Sequence, residues 1–229
     1  MSHIVFRDVH LSYDNRQVLS GISLDLAEQR IGIIGANGGG KSSLIRLING
    51  LNTATEGTVT VDGINPATQG REVRRKVGFI FSDAENQIVM PTVREDIAFS
   101  LRRFRLGKQE TAAKVHATME RFGLSGHANH SPHLLSGGQK QLLALASVLV
   151  LEPAVVIADE PTTLLDLANR LHIQQVFASL SQQLIVVTHD LDFLDGFDRV
   201  ICIDQGAVAA DGHPDEVRKF YIRTMMGAS

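Results

Sequence analysis

Apolar and polar residues alternate through the N-terminal quarter of the chain, in "IVFRDVHLSY", "ISLDLA" and "GTVTVDG", with the shorter "RIGIIG" among them. A period of two turns successive side chains to opposite faces, so these stretches read as short strands. Three later segments differ in kind. "KVGFIF", "AVVIAD" and "LIVVTHD" are continuous runs rich in Val and Ile, the pattern of parallel strands covered on both faces. Helical periods separate them. After Lys41, Leu44, Leu47, Ile48 and Leu51 recur at i, i+3, i+4 and i+7, which predicts an amphipathic helix with Leu51 on its apolar face. "TVREDIAFSLRRF" opens with Thr92 and Glu95 in capping-box spacing, and "KQETAAKVHATMERFGL" and "KQLLALASVLVL" read as further helices. Strands alternating with helices predict an α/β fold with a mostly parallel sheet. The stretch from about 85 to 150 has little strand signal and reads as a helical lobe inside one domain, 1–229.

Composition narrows the classes. With 229 residues, 44% hydrophobic and 21% charged, the chain is long enough for a full core. A net charge of −3 gives no basic excess, which counts against a nucleic-acid partner. Cys202 is the single cysteine, so no intrachain disulfide forms, and "RVICIDQG" makes it a buried strand thiol. No segment approaches the apolar length of a membrane span, and "MSHIVFRDVH" lacks the basic and apolar regions of a signal peptide. The expected location is cytosolic, or the cytosolic face of something larger.

"GANGGGKS", from Gly35 through Ala36, Asn37, Gly38, Gly39, Gly40 and Lys41 to Ser42, matches G-x-x-x-x-G-K-[ST] in full. It follows the strand "RIGII" and opens a helix, the context this motif requires. Glycines let successive backbone N–H groups converge on phosphate oxygens, and the helix N-terminus adds partial positive charge. Lys41 is expected to reach the β- and γ-phosphates, and Ser42 to offer its hydroxyl to Mg²⁺. "AVVIADEP" delivers Asp159 and Glu160 at a strand's C-terminal end, where ligands sit in open α/β sheets. Asp159 fits a Mg²⁺ carboxylate, direct or through Ser42, and Glu160 is placed to orient or deprotonate a water. "VVTHD" ends another apolar strand in His189, an imidazole able to hydrogen-bond the γ-phosphate.

"LLSGGQKQ" sets two adjacent glycines, Gly137 and Gly138, directly before a helical run. Gly costs about 1 kcal/mol in a helix interior, so the pair implies that something approaches the backbone closely. With the phosphate loop and the acidic strand, "LSGGQ" makes the chain resemble the ATP-binding subunit of an ABC (ATP-binding cassette) transporter over nearly its whole length. The resemblance implies the ABC-ATPase fold, with an N-terminal antiparallel β subdomain and a helical lobe. It implies ATP hydrolysis with ATP and Mg²⁺ bound, and a homodimer or a pair with a similar ATPase. Ser136, Gly137, Gly138 and Gln139 would then meet the γ-phosphate held by the neighbouring subunit. Tyr13 stands where the family sets an aromatic ring against adenine, Ser43 belongs to the nucleotide loop, and Asp166 in "TTLLD" matches an interface aspartate. His189 matches the family's switch histidine.

Two departures stand out. Ser82 replaces the glutamine that usually ends "VGFIF", and Gln87 lies on the following turn. Gly39 and Ser43 replace Ser or Ala, and Thr. "DAENQIVMPTVREDIAF" is similar to the energy-coupling-factor (ECF) importers of vitamins and metals, and "LAEQRIGIIGANG" most resembles the ATPase of biotin importers, with cobalt or nickel importers second. Membrane-embedded coupling and substrate-binding subunits are the implied partners, with this chain peripheral on the cytoplasmic face. A non-transport ABC-type regulatory ATPase is the alternative from another class. A chromosome or DNA-repair ATPase would need a long coiled coil before "LSGGQ", and no sustained heptads occur there. His127, His130 and His133 in "GHANHSPH" lie in a loop marked by Gly126 and Pro132, which offers no scaffold for a metal site.

Overall fold

The computed structural model describes all residues except Asn15, Leu164, Ala228 and Ser229. In chain order its elements are β1 (Ile4–Tyr13), β2 (Arg16–Leu26), β3 (Arg30–Ile34), α1 (Lys41–Ile48), β4 (Glu56–Val61), α2 (Pro66–Lys76) and β5 (Val77–Ile80). Then come α3 (Val93–Leu101), α4 (Lys108–Arg121), α5 (Gly137–Leu149), β6 (Val155–Asp159) and α6 (Leu167–Ala178). The chain ends with β7 (Gln183–Val187), β8 (Arg199–Asp204), β9 (Ala207–Gly212) and α7 (Pro214–Met225). Among the described residues no helix is long and apolar enough to cross a membrane.

The chain forms two compact units. The first holds Met1–Val77, Ala154–Glu160 and Ser181–Ser229. In it β2, β1 and β4 make an antiparallel sheet, with Ile4 paired to Leu26 on one side and Val61 on the other. A second sheet runs β6-β7-β3-β8-β9, parallel from β6 to β8 and antiparallel at β9. The uninterrupted apolar runs explain this sheet. Every residue of β6 and β7 is buried, as a strand covered on both faces requires. Cys202 is buried in β8, where desolvation pushes its thiol up to about 11.

The second unit holds Gly78–Pro153 and Pro161–Leu180, so it begins earlier than the helical pattern does and takes in α6 as well. Its centre is α5, buried from Gln141 to Leu149, which accounts for a helix apolar on nearly all sides. α3 starts on Thr92, whose hydroxyl oxygen accepts the Glu95 N–H at 3.3 Å. The reciprocal half differs from a capping box, because the Glu95 carboxylate takes the Thr92 hydroxyl proton at 2.8 Å.

The helix after the phosphate loop is shorter than its apolar period. α1 stops at Ile48, Asn49 caps it, and Gly50 turns the chain with φ +69°. Leu51 therefore leaves the helix and is 45% exposed. The C-terminal Asn-Gly pair overrides the hydrophobic repeat, as αL-type stops do.

Candidate functional site

The phosphate loop joins β3 to α1 in the first unit, and its glycines answer to specific crowding. Gly35 has φ +144°, and a Cβ there would stand 2.0 Å from the Ile203 carbonyl oxygen. Only glycine fits that approach to β8. Gly38 faces open space and Asn37 is exposed, while Gly39 and Gly40 are buried. Gly40 is the N-cap of α1, and that helix has no acid in its first turn. The result is an uncompensated helix start above a bare backbone cradle, the arrangement that favours an anion.

Lys41 is buried, and its Nζ donates to the carbonyls of Gly35 and Ala36 at 2.9 Å each. Burial lowers the ammonium's proton affinity, opposed by the charges of Glu160 and Asp159. Ser42 Oγ donates to Asp159 Oδ1 at 2.8 Å. Asp159, 2% exposed, also faces Arg46 Nη2 at 3.6 Å. Desolvation raises its carboxyl above the usual carboxylate range, against the pull of Ser42 and Arg46. A hydroxyl and a carboxylate at a shielded position are hard oxygen donors of the kind Mg²⁺ takes, so the residues fit that ion. Arg46 escaped the sequence reading, although it lies one turn after Ser42 on the same helical face.

The parallel strands bring two further residues to the same edge. Glu160 follows β6 with φ +53°, a left-handed conformation rare outside glycine, and its N–H donates to Val187 O at 2.9 Å. In that conformation its carboxylate meets the residue two past β7's end. His189 Nδ1 lies 2.7 Å from Glu160 Oε2. Thr188 between them is tied to β3 through its N–H to Ile33 O at 3.1 Å. Lys41, Ser42, Asp159, Glu160 and His189 thus gather at the C-terminal ends of β3, β6 and β7.

Tyr13 ends β1 and is 48% exposed. It lines an open cavity of about 670 Å³ with Asp14, Arg16, Val18, Gly38 and Ser43. An aromatic ring therefore stands beside two members of the phosphate loop.

The glycine pair lies in the second unit. Ser136 is the N-cap of α5: its Oγ accepts the Gln139 N–H at 3.3 Å, and the Gln139 amide oxygen accepts the Ser136 N–H at 3.0 Å. The two glycines meet different demands. A Cβ on Gly138 would stand 2.2 Å from the Asn169 side chain, so α6 itself packs there. Gly137 has nothing within 4 Å of that position and is exposed. Asp166 caps α6, its Oδ1 accepting the Asn169 N–H at 2.8 Å. Ser82 is exposed after β5. Gln87 is committed elsewhere: its side-chain oxygen accepts the Phe81 N–H at 3.2 Å and its amide nitrogen donates to Phe79 O at 3.4 Å. His127 Nδ1 and His130 Nδ1 are 3.1 Å apart.

A phosphate loop feeding a helix, an acid pair at the end of β6 two strands away and an antiparallel sheet beside the parallel one define a P-loop NTPase with the ABC-ATPase fold. The family model described as "ABC transporter" matches residues 19–163, and the chain belongs to that family. It is 46% identical to a putative ABC transporter ATP-binding protein of Bartonella quintana over 98% of this chain and 100% of that one. With the biotin transport ATP-binding protein BioM of Rhizobium etli it shares 44% over 91% of this chain and 93% of the relative. Among solved structures it is similar to cbiO1 from Clostridium perfringens, part of the ABC transporter complex cbiONQ. The TM-score is 0.84 at 28% identity, covering 97% of this chain and 93% of that one. A dimeric ATP-binding cassette in a post-hydrolysis state, bound to ADP and Pi, gives 0.83 at 28%, covering 92% and 98%. The chain is an ABC ATPase.

Proposed function

We propose that this chain is the ATP-binding and ATP-hydrolysing subunit of an ECF-type importer, with biotin as the transported vitamin. The observation that carries the reading is the gathering of Lys41, Ser42, Asp159, Glu160 and His189 at one strand edge. The substrate rests on likeness: two BioM proteins are 44% and 41% identical to the chain, against 37% for a cobalt import ATPase of Syntrophus aciditrophicus. Cobalt import is the second reading, supported by the likeness to that Syntrophus ATPase.

In this reading Tyr13 stacks on adenine, and the Gly35–Ser43 loop holds the phosphates through its backbone N–H groups. Lys41 turns its ammonium from the Gly35 and Ala36 carbonyls to phosphate oxygens. Ser42 and Asp159 would hold Mg²⁺, which supplies counter-charge and polarises the phosphate when bound. Glu160 takes a proton from the attacking water, and His189 holds its carboxylate in place. Ser136, Gly137, Gly138 and Gln139 serve nucleotide on a second copy or a similar ATPase, and Asp166 lies in the loop that crosses the interface between the two chains. Membrane-embedded coupling and substrate-binding subunits turn closure into uptake, and this chain sits peripherally on the cytoplasmic face.

Subunit mixing tests the two-chain site. Lys41→Ala removes the phosphate cation, and Gly137→Asp sets a carboxylate at the exposed helix start. Each homodimer should be inactive. In a heterodimer of the two, both lesions fall in one site and the other is intact, so a single-turnover burst of phosphate should appear. No burst from verified heterodimers would show that the signature serves its own chain or another partner.

A further inference from the structure

Gln139 has a second partner besides the cap it shares with Ser136. Its amide nitrogen lies 3.1 Å from His127 Nε2, and His127 Nδ1 lies 3.1 Å from His130 Nδ1. The proton assignments follow in order. The Ser136 N–H can only donate, so the Gln139 oxygen must face it, and the Gln139 NH₂ must then point at His127. His127 Nε2 therefore accepts and carries no proton. Its proton sits on Nδ1 and donates to His130 Nδ1, which places the second imidazole's proton on its own Nε2. One chain of donors and acceptors runs from the signature cap through both rings.

The loop that carries the rings is fixed at its backbone. The Val93 and Arg94 N–H groups, free donors in the first turn of α3, bond to His130 O at 3.2 Å and Ala128 O at 3.0 Å. His127 and His130 also donate their own N–H groups, to Leu124 O and His127 O, at 2.9 Å each. Ala128 between them is buried. The imidazole of His127 is thus mounted on α3 and aimed at the first turn of α5. Without it the Gln139 NH₂ would have no acceptor among the described residues, and its amide would be free to rotate off the Ser136 N–H.

We propose that His127 is a positioning residue for the signature: by accepting the Gln139 N–H it fixes the Ser136–Gln139 helix start that this subunit presents to nucleotide on a second copy. The inference rests on the reading of the signature given above, and its test separates the two. In a Glu160→Gln background, which slows hydrolysis, ATP-driven dimer formation is measured by analytical ultracentrifugation. Binding of a fluorescent ATP analogue to the monomer and the melting temperature are followed in parallel. His127→Leu keeps bulk and loses the acceptor, whereas His127→Gln places an amide oxygen where Nε2 was.

One neutral hydrogen bond is worth about a 5-fold change in an equilibrium. Both signatures of a homodimer carry the substitution, so His127→Leu should weaken dimerisation by up to about 25-fold, with monomer binding within about two-fold and the melting temperature lowered by no more than about 2–4 °C, and His127→Gln should restore dimerisation. Gly137→Asp, run alongside, should abolish dimerisation. Leu behaving as wild type while Gly137→Asp abolishes the dimer would overturn the role of His127 alone. Leu and Gln equally defective would also overturn it, because the ring's shape and not its acceptor would matter. Gly137→Asp forming normal dimers would instead remove the signature reading, and the positioning role with it.

Discussion

Asp96 is 3% exposed and accepts three hydrogen bonds that tie the loop before α3 to the helix behind it. The Val89 and Met90 N–H groups share Oδ1 at 2.9 and 3.1 Å, and the Ser147 hydroxyl on α5 donates to Oδ2 at 2.9 Å. Asp96→Ala removes all three acceptors. Hydrogen bonds to a charged group are worth about 1.5–3 kcal/mol each. The three losses are unequal, however. Val89 is 63% exposed, so the loop N–H groups can turn to water, whereas Ser147 is buried at 6% and its hydroxyl stays unmatched. Release of the buried carboxylate offsets part of the loss, leaving a net destabilisation of about 3 kcal/mol. Asp96→Asn is the discriminating variant. Both loop bonds go to one oxygen, which Asn retains, and its NH₂ faces a Ser147 hydroxyl able to rotate and accept. It should cost about 1 kcal/mol. In thermal melts the Ala variant should fall by about 6–12 °C and Asn by about 2–4 °C. Equal losses would show that charge, not the division of bonds between two oxygens, sets the contribution. A loss below about 1 kcal/mol for Ala would show that the loop does not depend on Asp96 at all.

Glu160→Gln should retain ATP binding and slow hydrolysis by about 10²–10⁴-fold, the scale of a lost positioned base; near-wild-type phosphate release would remove Glu160 from the chemistry. On the proposed reading, cells expressing the chain with membrane subunits that co-purify with it should take up labelled biotin, and Lys41→Ala should stop that uptake. Cobalt uptake without biotin uptake would select the second reading.

The architecture was legible because its signals are repetitive. Five consecutive buried residues in β6 and again in β7 leave few alternatives to a doubly covered parallel strand. The glycine loop before α1 was legible as a tight backbone turn because close approach needs glycine, and Gly35 against Ile203 O shows that need at one position. What escaped was long-range or contrary to local expectation. Asp96 reads as an ordinary first-turn acid at a helix N-terminus, favourable to the dipole and solvated. Only the packing of α3 against α5 buries it on Ser147. His127 and His130 sit in a stretch with Gly and Pro, and a loop reading gives no reason to aim a ring at Gln139. Leu51 failed the other way. Its apolar spacing was right for α1, yet an Asn-Gly stop ended the helix first.

The helix starts bear on the two-chain reading. α3, α4 and α7 carry acids in their first turns, the usual way to offset the partial positive charge there. α1 and α5 carry none, at the cap or after it. α2 also lacks one, but it opens on Pro66, which has no N–H to offer. For α1 the omission is explained inside the first unit, where phosphate would meet the Gly40 cap and Lys41. For α5 no acid caps the helix or lies in its first turn, Gly138 is packed by Asn169, and Gly137 opens on empty space. A Glu or Asp near Gly137 would stabilise α5 by about 0.3–1 kcal/mol as an isolated helix. Leaving the position bare forgoes that stabilisation, and a negatively charged group arriving from a second subunit would make such a carboxylate repulsive.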